Sequence, residues 1–252
     1  MKTYFEALLK NGKRSDGRGF LDYRSVEIKK DIISKAEGSA SVKFGKTHVI
    51  AGVKLDVGQP FPDTPNEGIL IVNAEFSPIA SPEFEPGPPT EDAIELARVV
   101  DRGIRESKAI DLDKLVIVPK EKVWMVFIDI HIINHDGNLI DASALASLAA
   151  LTVTKIPKYE DEKIIRGEYS GNLPLSHYPI NVSVWKFEDK LLLDPVKGEE
   201  EILDAGLSIA VREDDKICSI QKMGNKALTF DDIDRMVDIA FKKSKELRKL
   251  VK

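Results

Sequence analysis

The chain has 252 residues, of which 42% are hydrophobic and 31% charged, with a net charge of −5. That composition can bury a large core as one domain or two, and it excludes global disorder. The negative balance excludes a surface coated in basic residues but leaves room for RNA contact through a local patch. The single cysteine, Cys218, excludes an internal disulfide and fits a reducing cytoplasm, the expected location. The longest nearly apolar stretch, Ala142–Val153, is shorter than the roughly 20 residues that cross a bilayer. Met1–Lys10 carries Glu6 and no apolar signal segment, so no membrane association is expected.

Tyr4–Lys10 reads as a helix, broken by the polar run Asn11–Gly19. Strand-like segments follow at Ser25–Ile28, Ala40–Phe44, His48–Asp56 and Ile69–Phe76, divided by Gly and Asp turns. The run Val49–Leu55 is too apolar for an edge, which predicts a central strand. Gly58–Gly68 and the five-proline segment Pro78–Pro89 read as stiff loops, because proline fixes φ and removes a donor. Thr90–Lys108 is the clearest helix, with Thr90 as N-cap and Glu91 and Asp92 at the positive end of its dipole. Val123–Ile133 alternates, placing Val126, Ile128, Ile130 and Ile132 on one face. Asp136-Gly137 then turns into an alanine-rich helix over Asp141–Thr154. From Pro179 the pattern repeats, with strands at Asn181–Phe187, Lys190–Leu193, Leu207–Val211 and Ile217–Lys222. A closing helix opens on the capping-box-like Thr229-Phe230-Asp231-Asp232 and places Ile233, Val237 and Phe241 on one side. Lys242, Lys243, Lys245, Arg248, Lys249 and Lys252 read as its polar face. Strands followed by a helix, twice over, predict an α+β fold with an internal near-duplication. The expected division is an N-terminal helix over 1–13, a larger domain over 14–178 and a smaller one over 179–252.

At about 100° per residue, Arg98, Arg102 and Arg105 share one side of the Thr90–Lys108 helix, opposite Leu96, Ala97, Val100 and Ile104. Two readings stand. The arginines reach RNA phosphates, or they form a solvated face paired off by Glu91, Glu95 and Asp101. His131 and His135 lie on a strand running into a turn and do not have the spacing of metal ligands. His48 and His177 have no acidic or cysteine partner nearby in sequence. No zinc spacing, phosphate-loop glycine pattern or nucleophile elbow is present. The run Glu199-Glu200-Glu201 reads as a solvated turn in preference to a metal site.

Three stretches carry a family resemblance: Arg14-Ser15-Asp16-Gly17-Arg18 with Arg24, then Glu95–Arg102, then Asp194-Pro195 leading through Glu199–Glu201 into Asp204-Ala205-Gly206. In this order they resemble the RNase PH family of phosphate-dependent 3′→5′ exoribonucleases, and in particular its non-catalytic ring-subunit branch in the archaeal exosome. The resemblance implies an RNase PH-type fold of β-α repeats like those of ribosomal protein S5 domain 2. It also implies a catalytic paralogue as partner in a ring of three heterodimers, RNA-binding cap proteins, and single-stranded RNA as ligand. Active members read Glu-Ala-Asp where this chain reads Asp204-Ala205-Gly206, so Gly206 stands at the place of the catalytic Asp. Active members hold phosphate with Asp-Gly-Gly-Thr-Arg or Asp-Gly-Gly-Ser-Arg, where this chain reads Asp136-Gly137-Asn138-Leu139-Ile140. Leu139 and Ile140 thus replace the hydroxyl residue and the arginine, and Asp141 is expected to add a repelling charge.

A positioned acid is worth about 10²–10⁴ in rate, and the phosphate clamp belongs to an electrostatic term that is often larger still. Losing both implies a chain with no catalytic residues, no cofactor and no metal of its own. Inorganic phosphate and Mg2+ would be used in the partner's active site. Arg98 and Arg102, with Arg105 beside them, would complete the partner's RNA groove. Arg18 and Arg24 either contact a neighbour or anchor their own loop. Two rivals stand: a self-contained exoribonuclease whose acid is Asp204 or Glu201, and a pure scaffold with no RNA contact.

Overall fold

The alternating run at 123–133 forms part of a strand that pairs with three others in a six-stranded sheet. A computed structural model describes residues 2–251, so Met1, in the expected N-terminal segment, and Lys252, in the lysine-rich tail, lie outside the described residues. After helix α1 (Lys2–Lys10) come β1 (Val26–Lys30), β2 (Gly38–Phe44), β3 (Thr47–Gly58) and β4 (Ile69–Phe76). Helix α2 (Glu91–Glu106) leads through a single 3-10 turn to β5 (Val116–Val118) and β6 (Lys122–Asn134). The strand order is β1-β2-β3-β6-β4, with β5 also on β6 and β4 parallel to β6. Val49, Ala51, Val53 and Leu55 of β3 and Val126, Ile128, Ile130 and Ile132 of β6 are all buried, as period-2 alternation requires.

Helix α3 (Leu139–Thr152) lies between two sheets. Its first face meets β2 and β3 of the larger sheet. Its second meets β9 (Ile180–Phe187) of a four-stranded antiparallel sheet ordered β10 (Lys190–Leu193), β9, β11 (Ala205–Val211), β12 (Ile217–Gly224). Every residue from Asp141 to Leu151 is buried. A helix enclosed on all sides has no polar face to keep, which explains the alanine-rich text. Helix α5 (Phe230–Val251) covers β9 and β11, and its capping box forms: Thr229 Oγ1 accepts from the Asp232 N–H at 3.2 Å and Asp232 Oδ2 from the Thr229 N–H at 3.0 Å.

Three elements escaped the sequence reading. The hairpin β7 (Lys155–Glu160) and β8 (Lys163–Asn172) turns at Asp161 and Glu162, with φ of 48° and 60°. A two-residue loop with both φ positive normally carries Asn-Gly or Asp-Gly, so its sequence signal is missing here. Helix α4 (Lys197–Glu200) has only four residues, and β5 only three. A fourth reading needs correction. Arg248 is not on the polar face of α5; it is buried, donating from Nε to the Tyr178 carbonyl at 2.9 Å and from Nη2 to the Val211 carbonyl at 2.7 Å. It satisfies carbonyls that packing shuts off from water.

Helix α2 joins the two halves, since it packs on β4, α3 and β12. At Gly103 a Cβ would stand 2.9 Å from Asn181 Oδ1 on β9 and 3.5 Å from the Ala210 Cβ on β11. Gly103→Val is therefore expected to overpack this contact and cost about 1–3 kcal/mol. Urea denaturation of the variant should show a lower midpoint at unchanged slope.

Candidate nucleic-acid interface

The arginine face of α2 exists, but its three members differ. Thr90 caps the helix by accepting from the Ala93 N–H at 3.3 Å, while Leu96, Ala97, Val100 and Ile104 are buried on the core side. Arg105 is committed within its own chain. It binds Asp101 at 2.7 Å and donates to the Leu70 carbonyl at 2.9 Å, closing part of the β4 edge. Arg102 donates to Gln221 Oε1 at 2.6 Å, and Gln221 Nε2 donates to Glu95 Oε1 at 3.1 Å. Arg98 is exposed and, among the described residues, has no hydrogen bond or ion pair. With Glu91, Ile94, Glu95, Arg102 and Gln221 it lines a shallow hollow. The geometry presents one unpaired guanidinium and a second held in place beside it, both open to an anionic ligand.

A second cluster lies where the N-terminal segment meets the smaller sheet. The Asp194 carboxylate is buried, with φ of 46° at its Cα. Its Oδ2 accepts from the Arg24 N–H at 2.7 Å, from Arg24 Nε at 2.9 Å and from Arg18 Nη1 at 3.1 Å. Its Oδ1 accepts from Arg24 Nη2 at 2.6 Å and Asn138 Nδ2 at 2.9 Å. Burial works to raise the Asp194 pKa, but the Arg24 hydrogen bonds and charge outweigh it and hold the carboxyl below its ordinary value. Arg14 binds Glu199 at 2.5 Å and the Leu193 carbonyl at 2.8 Å. Arg18 and Arg24 are thus anchored within the chain, as one of the two readings of that motif expects.

Gly206 faces Trp185 across the β9–β11 ladder. A Cβ at 206 would stand 2.9 Å from Trp185 Cδ2 and Cε3, and equally close to the Val184 carbonyl oxygen. The indole covers the place where a catalytic side chain is expected. At the start of α3, Asn138 takes a left-handed φ of 57°, and its N–H donates to Glu200 Oε1 at 2.6 Å. Leu139 and Ile140 pack against the core.

Residues 22–157 match the model for domain 1 of the 3′ exoribonuclease family, RNase PH, and residues 177–243 match domain 2. The chain belongs to the RNase PH family of 3′ exoribonucleases. It is 50% identical over 248 residues to exosome complex component Rrp42 of Thermococcus gammatolerans, covering 97% of this chain and 91% of that protein. The same component of Methanosarcina mazei is 50% identical over 251 residues, covering 99% and 92%. Among solved structures, the Archaeoglobus fulgidus exosome with RNA bound to the active site contains a chain 49% identical, with a TM-score of 0.94 and coverage of 100% and 97%. An archaeal exosome core contains another, 45% identical with a TM-score of 0.89, covering 99% of this chain and 95% of that one.

Within this RNase PH fold, several expectations change. Glu199–Glu201 is not a solvated turn: Glu199 is buried on Arg14 and Glu200 is drawn to α3, leaving Glu201 at the surface, 3.9 Å from Lys2. Asp141 is not a repelling charge on the phosphate position. It is 1% exposed and turned to β9, accepting from the Ser183 N–H at 3.0 Å and Oγ at 2.6 Å. His177 does have an acidic partner, Glu213 at 2.7 Å, far away in sequence. His131 pairs with Glu75 at 3.2 Å and His135 stacks on Phe84. Among the described residues no three His, Cys, Asp or Glu side chains form a metal-binding group. Sequence reasoning missed Trp185, Glu200 and Gln221. The signal for Trp185 was available, because strand glycines favour an aromatic cross-strand neighbour.

Burial pushes the Asp141 pKa up to about 7, against the hydrogen bonds from Ser183 and helped by the Asp194 charge. A carboxyl raised in the folded state stabilises fully below its unfolded value, about 3.9, and loses that contribution as pH rises toward 7. Asp141→Asn is therefore expected to cost stability at pH 4 and to close the gap, relative to the parent, by pH 8. Denaturant midpoints measured across that range would read it.

Proposed function

We propose that this chain is a non-catalytic, RNA-contacting subunit of an archaeal-type exosome core. The observation that carries the reading is Gly206 covered by Trp185, a family member's catalytic position occupied by an indole. In this reading the chain alternates with a catalytic paralogue as three heterodimers in a cytoplasmic ring beneath RNA-binding cap proteins. The similarity to exosome component Rrp42 supports that assembly, as does the likeness to a chain of an exosome structure with RNA in its active site. Among the described residues no helix is long and apolar enough to cross a membrane. The heterologous contact in such a ring lets one subunit complete another's site.

The division of labour follows from the side chains. The partner supplies the acid and holds inorganic phosphate, with Mg2+ where it is needed. This chain supplies Arg98 and Arg102, which hold the phosphates of single-stranded RNA near its 3′ end, largely without regard to sequence. Arg105, tied to Asp101 and to the Leu70 carbonyl, steadies the helix that carries them. The self-contained enzyme is disfavoured by the state of its proposed acid. Burial works to raise the Asp204 pKa, but Lys226 at 2.7 Å and the Glu188 N–H at 2.9 Å hold it below its ordinary value. A carboxyl so placed is ionised at neutral pH and has no proton to donate.

The test is release of nucleoside diphosphates from 3′ poly(A) RNA in phosphate buffer. The chain alone is expected to be silent, and the chain mixed with its paralogue active. Turnover by the chain alone, abolished by Asp204→Asn, would establish the rival enzyme. Gly206→Asp should not create activity in the chain alone, and should destabilise it by about 1–3 kcal/mol through the clash with Trp185 and the Val184 carbonyl.

Arg98→Glu with Arg102→Glu should leave the ring intact by size-exclusion chromatography. The same pair should raise the KM for RNA roughly tenfold or more and flatten the log–log salt dependence of binding by about 1 to 1.5. An unchanged KM in an intact ring would leave only the scaffold.

A further inference from the structure

The start of α3 is the place where active relatives are expected to hold phosphate, and in this chain it is already taken. Asn138 presents two donors there. Its backbone N–H donates to Glu200 Oε1 at 2.6 Å, and its side-chain Nδ2 to Asp194 Oδ1 at 2.9 Å. The first puts a Glu200 carboxyl oxygen at a helix end whose free N–H groups and dipole favour an anion. Asn138 is 3% exposed, and of its polar side-chain atoms only Oδ1 has no partner.

The carboxylate is delivered by a rigid support. At Gly137, with φ of 84°, a Cβ would clash with the Pro195 carbonyl oxygen and stand 2.8 Å from the Lys197 nitrogen, so the segment entering α4 lies directly on the α3 start. Helix α4 then sends successive carboxylates to different anchors. Glu199 goes to the buried Arg14, and its Oε2 also accepts from the Val196 N–H at 3.1 Å, while Glu200 goes to Asn138. Burial raises the Glu200 pKa to about 7, with the Asn138 N–H and Arg24 opposing it and the Asp194 and Asp136 charges adding to it. Beyond Glu200 lies a hollow of about 640 Å³ that also borders Trp185, Asp204 and Lys226.

We infer that the Glu200 side chain is the resident occupant of the anion position at the α3 N-terminus, so that this chain excludes inorganic phosphate by filling the cradle with its own carboxyl. The inference rests on the non-catalytic reading and deepens it. Substituting Leu139 and Ile140 would only weaken phosphate binding. A carboxyl oxygen on the Asn138 N–H removes the contact itself.

The experiment is a thermal-shift and 31P NMR titration of the full chain, without its paralogue, with inorganic phosphate at constant ionic strength against chloride. The parent is expected to show no phosphate-dependent change. Glu200→Ala should open the hollow to the Asn138 N–H and raise the Tm by about 2–4 °C in phosphate. Glu200→Gln, which keeps an acceptor oxygen in place, should stay silent like the parent. Three outcomes overturn the inference: a response of the parent equal to that of Glu200→Ala, no response from a folded Glu200→Ala, or a response of Glu200→Gln as large as that of Glu200→Ala. If Glu200→Ala does not fold, the parent still decides. Its Asn138 amide proton should move with pH as Glu200 titrates and stand still in Glu200→Gln, and a pH-independent parent signal overturns the inference. These readouts involve neither RNA nor the paralogue, so they stand or fall apart from the turnover assay on the mixed complex.

Discussion

Asp194 holds the two halves of this fold together. Its carboxylate is buried and accepts from Arg18, Arg24 and Asn138, residues on the N-terminal segment and at the α3 start. Its backbone carbonyl accepts from Arg14 Nη2 at 2.9 Å and Arg18 Nη2 at 3.1 Å. A buried carboxylate is costly unless its charge and lone pairs are met, and here the donors all come from the other side of the domain junction, from 56 to 176 residues away. Removing any donor would leave charge stranded, so Arg14, Arg18, Arg24 and Asn138 are constrained together. The left-handed backbone of Asp194 and of Asn138 is tolerated because the network fixes both.

A second constraint follows from α3 being enclosed. Packing between two sheets removes every solvent-facing position, and the helix satisfies this with alanine, leucine and small hydroxyls. The Ser147 hydroxyl donates back to the Ser143 carbonyl at 2.8 Å. The exception is Asp141, which ties the helix to β9 through Ser183. The helix start is polar by necessity, since its N–H groups have no partner within the helix. Here a carboxyl oxygen of Glu200 sits on the N–H of Asn138, the residue that opens the helix.

How much of this was legible in the sequence depended on the distance over which the signal acts. The period-2 strands, the Thr90 and Thr229 caps and the buried face of α2 were readable because their causes lie within a few residues. The hairpin at Asp161-Glu162 was not, because its turn lacks the residues that normally mark it. The partners of Arg14, Arg24 and Arg248 lie from 23 to 185 residues away, and no local pattern announces them. Glu199–Glu201 misled for the same reason. Three glutamates in a row have the composition of a solvated turn, and only the fold shows that each faces a different environment.

The freedom of Arg98 is itself a product of the surrounding pairs. On a helix its natural acidic partners are Glu95, three residues before, and Asp101, three after. Asp101 is engaged by Arg105, and Glu95 accepts from Gln221, which in turn receives Arg102. Both carboxylates are therefore drawn away from Arg98 by groups on either side of it. Had β12 not placed Gln221 against α2, Glu95 would be free to close on Arg98, and the face would hold its own counter-ion. An exposed guanidinium beside engaged carboxylates loses less pairing when an anion arrives than one that must first break an ion pair. The smaller sheet thus keeps Arg98 of the larger domain unpaired, and the open arginine face depends on both halves.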